Sequence, residues 1–174
     1  MRTPIPLPRL DLRRARPDDT PAVASLVHDV WHETYGRALP RPVVLTHSAA
    51  HVAEEVALRV GHGWVACVGE RIVGYCATAA NCVEDLWVAR RYRRRGIGRA
   101  LLALALADLR ERGYQSAQAG CEDFNAPARE LLAREGWTVI GREPVDLGTG
   151  RLANALLYAR SLNAATAAAE VPSP

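Results

Sequence analysis

The stretch from Val88 to Leu102, VARRYRRRGIGRALL, contains the features that decide the fold. An apolar run ending at Val88 predicts a strand, and the alanine- and leucine-rich run after Gly98 predicts a helix. Gly96 and Gly98 lie in the turn between them. Because glycine lets the backbone approach a ligand and a helix start carries unpaired N–H groups with partial positive charge, this geometry suits a pyrophosphate. Cationic donors around the same turn come from Arg93, Arg94, Arg95 and Arg99.

The two glycines fit neither of two common nucleotide-binding motifs. A P-loop ends in Gly-Lys-Ser/Thr, and this chain contains no lysine. The dinucleotide fingerprint needs a third glycine where this chain has Leu101. The pattern Arg93-x-x-Gly96-x-Gly98 after an apolar strand instead resembles the acetyl-CoA signature of the GCN5-related N-acetyltransferase (GNAT) family. That signature has Gln or Arg, two free positions, Gly, one free position, and then Gly or Ala.

A second segment carries the same resemblance. Asn125, Ala128, Leu131 and Gly136-Trp137 look like the Asn-x-x-Ala…Gly-Phe segment of that family. The resemblance covers roughly Leu10 to Arg160. It implies an α/β acyl-CoA N-acyltransferase fold, in which a mostly antiparallel, twisted central sheet splays between two parallel strands and is flanked by about four helices.

The residue patterns independently predict a mixed α/β sheet. Alternation predicts a strand over Leu10–Arg14, and helical spacing predicts a helix over 23–34 with Trp31 on its buried side. Thr46 is predicted to cap a second helix, and Gly69-Glu70 to form a type II′ hairpin turn. Strands are also expected over 64–68, 71–78, 82–88, 114–121, 137–143 and 152–160, and helices over 98–112 and 126–134.

Length and composition bound the class of protein. A chain of 174 residues predicts one domain, over residues 9–160, with flexible ends over 1–8 and 161–174. The net charge of +3 indicates no particular partner. The four cysteines lack C-x-x-C spacing, which predicts free thiols in a reducing compartment. No signal peptide is recognisable, so a cytoplasmic protein is expected.

The resemblance implies acetyl-CoA as co-substrate and direct transfer of its acetyl group to a primary amine. The backbone of Leu86, Trp87 and Val88 would pair with the pantetheine arm, and Asn125 would hydrogen-bond to it. The loop over 93–99, which includes Ile97, would bind the pyrophosphate. In this family the first two helices cover the acceptor, which makes Glu33 and Tyr35 candidate acceptor contacts.

The attacking amine must lose a proton, because a lysine-like amine with a pKa of ~10.4 is largely protonated at neutral pH. Glu84 is the predicted base, since it lies on the strand that feeds the phosphate loop. Asp85 is adjacent and points to the opposite face. Glu33, Glu122 and Asp123 remain alternatives. Acidic candidates at Glu33, Glu84 and Glu122 favour a cationic acceptor.

The sequence departs from the family at the position of the general acid, the residue that protonates the departing thiolate. Many members have a tyrosine seven residues after the asparagine, and this chain has Leu132 there. A thiol with a pKa of ~8.5 forms a thiolate that can leave without a general acid, so absence of the tyrosine need not abolish acetyl transfer. Cys121 and Tyr158 could replace the acid only if folding brings either close, and both are predicted to fill the core or a sheet face.

Other interpretations stay open. The missing tyrosine suits a non-catalytic acyl-CoA-binding or regulatory module, and the arginine run suits RNA binding, although no aromatic platform accompanies it. His28 and His32 lie one helical turn apart, but without a third ligand no metal site is predicted. The acceptor, a small molecule or a protein amino group, is not identified, and a homodimer is compatible with the sequence.

Overall fold

The computed structural model describes residues 9–146 and 152–163. The predicted flexible N-terminus, residues 1–8, and residues 164–174 of the predicted C-terminal tail lie outside these ranges.

The described residues form a seven-stranded sheet with the order β1-β2-β3-β4-β5-β7-β6. All neighbouring strands are antiparallel except β4 and β5, which are parallel. This mixed topology is the predicted fold class. The strands are β1 Leu10–Arg14, β2 Gly63–Val68, β3 Arg71–Ala79, β4 Cys82–Val88, β5 Ser116–Glu122, β6 Thr138–Asp146 and β7 Leu152–Ser161.

The described helices number five, one more than the predicted four. They are α1 Thr20–Tyr35, α2 Arg41–Thr46, α3 Ala49–Arg59, α4 Ile97–Glu111 and α5 Ala126–Arg134, with short 3₁₀ turns at Pro17–Asp19, Val60–His62 and Arg90–Tyr92. The short α2 was missed because Pro40 precedes it and Pro42 lies in its first turn. The prediction that Thr46 caps the next helix is wrong: Thr46 ends α2, and the Ser48 hydroxyl accepts the His51 N–H at 3.2 Å.

Helices cover both faces of the sheet. Helices α1 and α3 bury apolar side chains such as Val27 and Val56 against one face, and α4 packs Leu101 and Leu109 against the other. Helix α4 lies very close to β3 at Gly74, where an added Cβ would come within 2.9 Å of the Leu101 Cδ1 atom. This packing fixes the start of α4 beside the end of β4.

Candidate active site

Strands β4 and β5 separate after a short paired segment. Their parallel pairing consists of Cys82 with Gln118 and Val83 with Ala119. On the other edge of β4, Val83 faces Thr78 and Asp85 faces Ala77, which leaves Glu84 as the extra residue of a β-bulge. The bulge lies where pairing with β5 ends. A gap therefore opens between the two strands, as the resemblance implies.

Hydrogen bonding on the far edge shows which backbone groups of β4 face this gap. The Ala89 N–H donates to the Val73 carbonyl at 2.9 Å, so Ala89 and Trp87 point their backbone groups toward β3. The alternate residues, Leu86 and Val88, therefore direct theirs toward the gap. The Val88 carbonyl accepts from the Arg93 Nε at 3.0 Å. The open edge offers the Val88 N–H and both backbone groups of Leu86.

The loop after β4 presents a set of backbone donors. Arg94 and Gly96 have positive φ angles of 59° and 81°, and Gly96 is the N-cap of α4. Within the described part of the chain, the N–H groups of residues 94–99 have no hydrogen-bond partner. Consecutive unpaired N–H groups at a helix start form an anion-binding concavity. This is the phosphate-loop geometry that the glycines predict.

The arginines of the loop are mostly held by contacts within the chain. Arg93 lies 3.4 Å from Glu33, Arg99 lies 3.1 Å from Glu135, and the Arg95 guanidinium stacks over Tyr92 at 5.7 Å. The charges of Arg93 and Arg99 are therefore compensated by carboxylates. This arrangement disfavours the interpretation that the run binds RNA.

The two acidic residues of β4 have different environments. Glu84 is exposed at the bulge, whereas the Asp85 side chain is buried on the face covered by α1 and α3. Asp85 accepts a hydrogen bond from the Trp87 indole at 2.7 Å and lies 3.1 Å from the Arg59 Nε, in poor alignment for a hydrogen bond. Burial raises the pKa of Asp85, and the Trp87 hydrogen bond and Arg59 partly oppose this.

Across the gap, α1 contacts the end of β5 through one tyrosine. The Tyr35 hydroxyl donates to the Glu122 Oε2 at 2.7 Å, and the Asn125 side-chain amide donates to the Tyr35 oxygen at 3.4 Å. Burial and Glu122 raise the pKa of Tyr35 far above its usual value, so the hydroxyl keeps its proton. Sequence reasoning placed Tyr35 at the rim, but the side chain is only 8% exposed.

Trp31 belongs to neither of the two buried clusters, contrary to its predicted core position. It is half-buried and stacks on His47 and Tyr35, with ring centres 3.8 Å and 5.2 Å away. His28, His32 and His51 extend this aromatic cluster along α1 and α3. In the described ranges, no group of three His, Cys, Asp or Glu side chains could hold a metal ion.

A polar groove lies on the outer side of α1. Its volume is about 490 Å³, and it is lined by His28, Asp29, His32, Glu33, Arg37 and Arg90. Glu33, a predicted acceptor contact, lines this groove. Because Arg93 contacts both Glu33 and the Val88 carbonyl, one side chain connects this groove with the gap.

Neither Cys121 nor Tyr158 is exposed at the position that the missing tyrosine leaves vacant. Leu132 is buried, and Cys121 and Tyr158 also lie in the core, in agreement with the prediction that both fill the core or a sheet face. Burial raises the pKa of the Cys121 thiol to about 11. All four cysteines are free thiols.

With this geometry established, comparison with known proteins is informative. The model of the Acetyltransferase (GNAT) family matches residues 23–137. The chain belongs to the GNAT acetyltransferase family. A search of curated proteins finds no significant match.

Many solved structures share the GNAT fold of this chain. The paiA N-acetyltransferase of Thermoplasma acidophilum, solved with coenzyme A, is 15% identical with a TM-score of 0.70 over 88% of this chain and 99% of that chain. The yncA protein of Salmonella typhimurium, solved with its cofactor acetyl-CoA, is 21% identical with a TM-score of 0.70 over 93% of this chain and 98% of that chain. A ribosomal-protein-alanine N-acetyltransferase of Brucella melitensis is 26% identical with a TM-score of 0.67 over 87% and 99%.

The described helices of this GNAT protein include none that combines the length and the apolar character needed to cross a membrane.

Proposed function

We propose that this GNAT protein transfers the acetyl group of acetyl-CoA directly to a primary amine of a small molecule or a protein. One observation carries the proposal: the open backbone edge of Leu86 and Val88 runs directly into the unpaired N–H groups of residues 94–99. A ligand that fits both parts has an extended, amide-containing arm joined to a pyrophosphate.

Acetyl-CoA has this construction, and two GNAT structures of the same fold were solved with it or with coenzyme A. Leu86 would pair with the amides of the pantetheine arm, and the N–H groups of 94–99 would hold the pyrophosphate. Arg94, which is exposed and has no described partner, supplies a further cationic donor. Acetyl-CoA itself supplies an activated acetyl thioester.

The residues of the chain would contribute positioning and charge stabilisation. The Val88 N–H faces the gap, where it would donate to the thioester oxygen as negative charge develops there. The strands hold the amine and the acyl group side by side. Glu84 remains the predicted base. Its exposure at the bulge suits a carboxylate that receives the amine proton through water.

The first test is a thermal shift with acetyl-CoA, CoA and NAD, followed by thiol release over an amine panel. A ligand at ~100 times its Kd adds about 2.7 kcal/mol of stability. We expect stabilisation by acetyl-CoA and CoA but not by NAD, and thiol release with at least one amine. No shift with either CoA species contradicts the phosphate-loop assignment.

The role of Glu84 is tested by Glu84→Gln. We expect a lower turnover number and a flatter alkaline rise in the pH–rate profile, with unchanged acetyl-CoA affinity in calorimetry. Glu130→Gln is the matched control, because Glu130 is an exposed residue of α5 that pairs at 3.7 Å with Arg134. A pH–rate profile that is identical in Glu84→Gln and wild type removes Glu84 from the mechanism.

A non-catalytic acyl-CoA-binding module is the second candidate, and the buried Leu132 at the acid position is the observation that favours it. This candidate predicts stabilisation by acetyl-CoA without thiol release for any amine. The same two measurements therefore separate the candidates.

A further inference from the structure

We infer that Glu122, held in place by Tyr35, binds the ammonium group of the acceptor, and that the acceptor is a cationic primary amine without a carboxylate beside its nitrogen. This inference rests on the proposed function only in taking an amine as the acceptor. It assigns the acceptor subsite to the end of β5.

Glu122 lies beside the gap between β4 and β5. It is the last residue of β5, on the strand face that alternates with the core-facing Ala119 and Cys121. On its own face Gly120 is exposed, and a Cβ added there would meet no atom within 4 Å. The α1 side of β5 is therefore open next to the gap in which the acetyl group would lie.

Tyr35 orders the Glu122 carboxylate without neutralising it. The tyrosine ring is fixed by Trp31, Trp87 and Phe124, with ring centres 5.2, 6.5 and 5.6 Å away. Its hydroxyl, which stays protonated, donates to one oxygen of Glu122 at 2.7 Å. The other oxygen, Oε1, accepts no hydrogen bond from any described residue. It is available to an incoming N–H donor.

The charge around Glu122 also favours a cationic ligand. Among the described side chains Glu122 forms no ion pair, whereas Glu33 pairs with Arg93, Asp85 with Arg59, and Glu135 with Arg99. A half-buried carboxylate without a cationic partner favours a cationic ligand and repels an anionic one. A carboxylate beside the acceptor nitrogen would therefore meet the unpaired negative charge of Glu122.

The experiment measures amine binding separately from acetyl transfer. Protein saturated with CoA is titrated in a calorimeter with two matched pairs, phenylalaninamide against phenylalanine and alaninamide against alanine. We expect at least one amide to bind wild type at least tenfold more tightly than its carboxylate partner. Glu122→Gln should weaken binding of that amide at least tenfold and leave the Kd for CoA within twofold of the wild-type value.

Two further variants separate binding from folding. Tyr35→Phe keeps the packed ring but removes the donor, so amide binding should weaken severalfold while CoA binding is retained. Glu130→Gln should bind amide and CoA as wild type does. The inference is overturned if neither amide binds wild type, if the carboxylates bind equally well, or if Glu122→Gln binds the amides normally.

The outcome is distinguishable from failure of the proposed function. Amide binding that depends on Glu122, without thiol release from acetyl-CoA, contradicts acetyl transfer and supports the subsite. Thiol release with the same amine KM in Glu122→Gln and wild type supports transfer and overturns the subsite.

Discussion

Replacing Gly96 by alanine should weaken both the fold and CoA binding, by separable amounts. Gly96 has a φ of +81°, and a Cβ added there would meet no atom within 4 Å, so the change creates no clash. The cost is conformational, because an L-residue in the left-handed region loses about 1–2 kcal/mol relative to glycine. For a protein of this size that loss lowers Tm by about 2–8 °C.

Binding should fall for a different reason. Gly96 directs the N–H groups of residues 94–99, and relaxation of its φ turns some of them away from the pyrophosphate. A hydrogen bond to a charged group contributes about 1.5–3 kcal/mol, so misdirecting one donor lowers acetyl-CoA affinity by about 10- to 100-fold. Isothermal calorimetry measures the affinity, and urea unfolding measures the stability.

Gly113 provides a matched control. It follows α4 with a φ of +88°, and an added Cβ there also meets nothing within 4 Å. A helix of 15 residues places it about 22 Å from the loop. Gly113→Ala should therefore lose similar stability but keep wild-type acetyl-CoA affinity. Normal affinity in Gly96→Ala, or equal weakening in both variants, refutes the argument that this loop binds the phosphates.

Two other perturbations test the packing around the site. Gly74→Ala should destabilise by about 1–3 kcal/mol in urea unfolding, because its Cβ would lie 2.9 Å from Leu101 and α4 would have to shift; an unchanged midpoint contradicts this close contact. Burial lowers the pKa of His47 to about 4, whereas a histidine in the unfolded chain has a pKa of about 6.5. The contribution of neutral His47 to the free energy of unfolding is therefore complete above about pH 6.5 and is lost as the pH falls from about 6.5 to about 4. Urea unfolding at pH 7.5 and pH 5 should show that His47→Phe loses less stability on acidification than wild type. If both proteins lose the same stability, the titrating group lies elsewhere.

Local signals in the sequence were sufficient for most of the fold and for the turn between β4 and α4. The glycines at 96 and 113 mark the two ends of α4, and Gly69 has the positive φ of 60° that its predicted turn requires. The predicted strand over 82–88 and helix over 126–134 have the bounds found in the structure. These elements are encoded by residues close together in the chain, where turn chemistry and hydrophobic periodicity act directly.

Contacts between distant segments could not be predicted in this way. Tyr35 and Glu122 are 87 positions apart, and no periodic pattern relates a helix end to the end of a strand in another part of the sheet. The same limit explains Trp31, whose helical spacing suggested the core. Its stacking partner His47 comes from the segment after α2, a helix that the sequence did not reveal.

The bulge at Glu84 links the fold to the candidate site. In a regular strand of this sequence, without the bulge, Val83, Asp85 and Trp87 would share one face. In the structure Val83 packs in the cluster around α4, whereas Trp87 packs in the cluster under α1 and Asp85 pairs with Arg59 of α3. The bulge therefore places Trp87 on the face that carries Tyr35, with ring centres 6.5 Å apart. Pairing between β4 and β5 ends at the same point, so the gap and the contact of Tyr35 with Trp87 begin at one irregularity of β4.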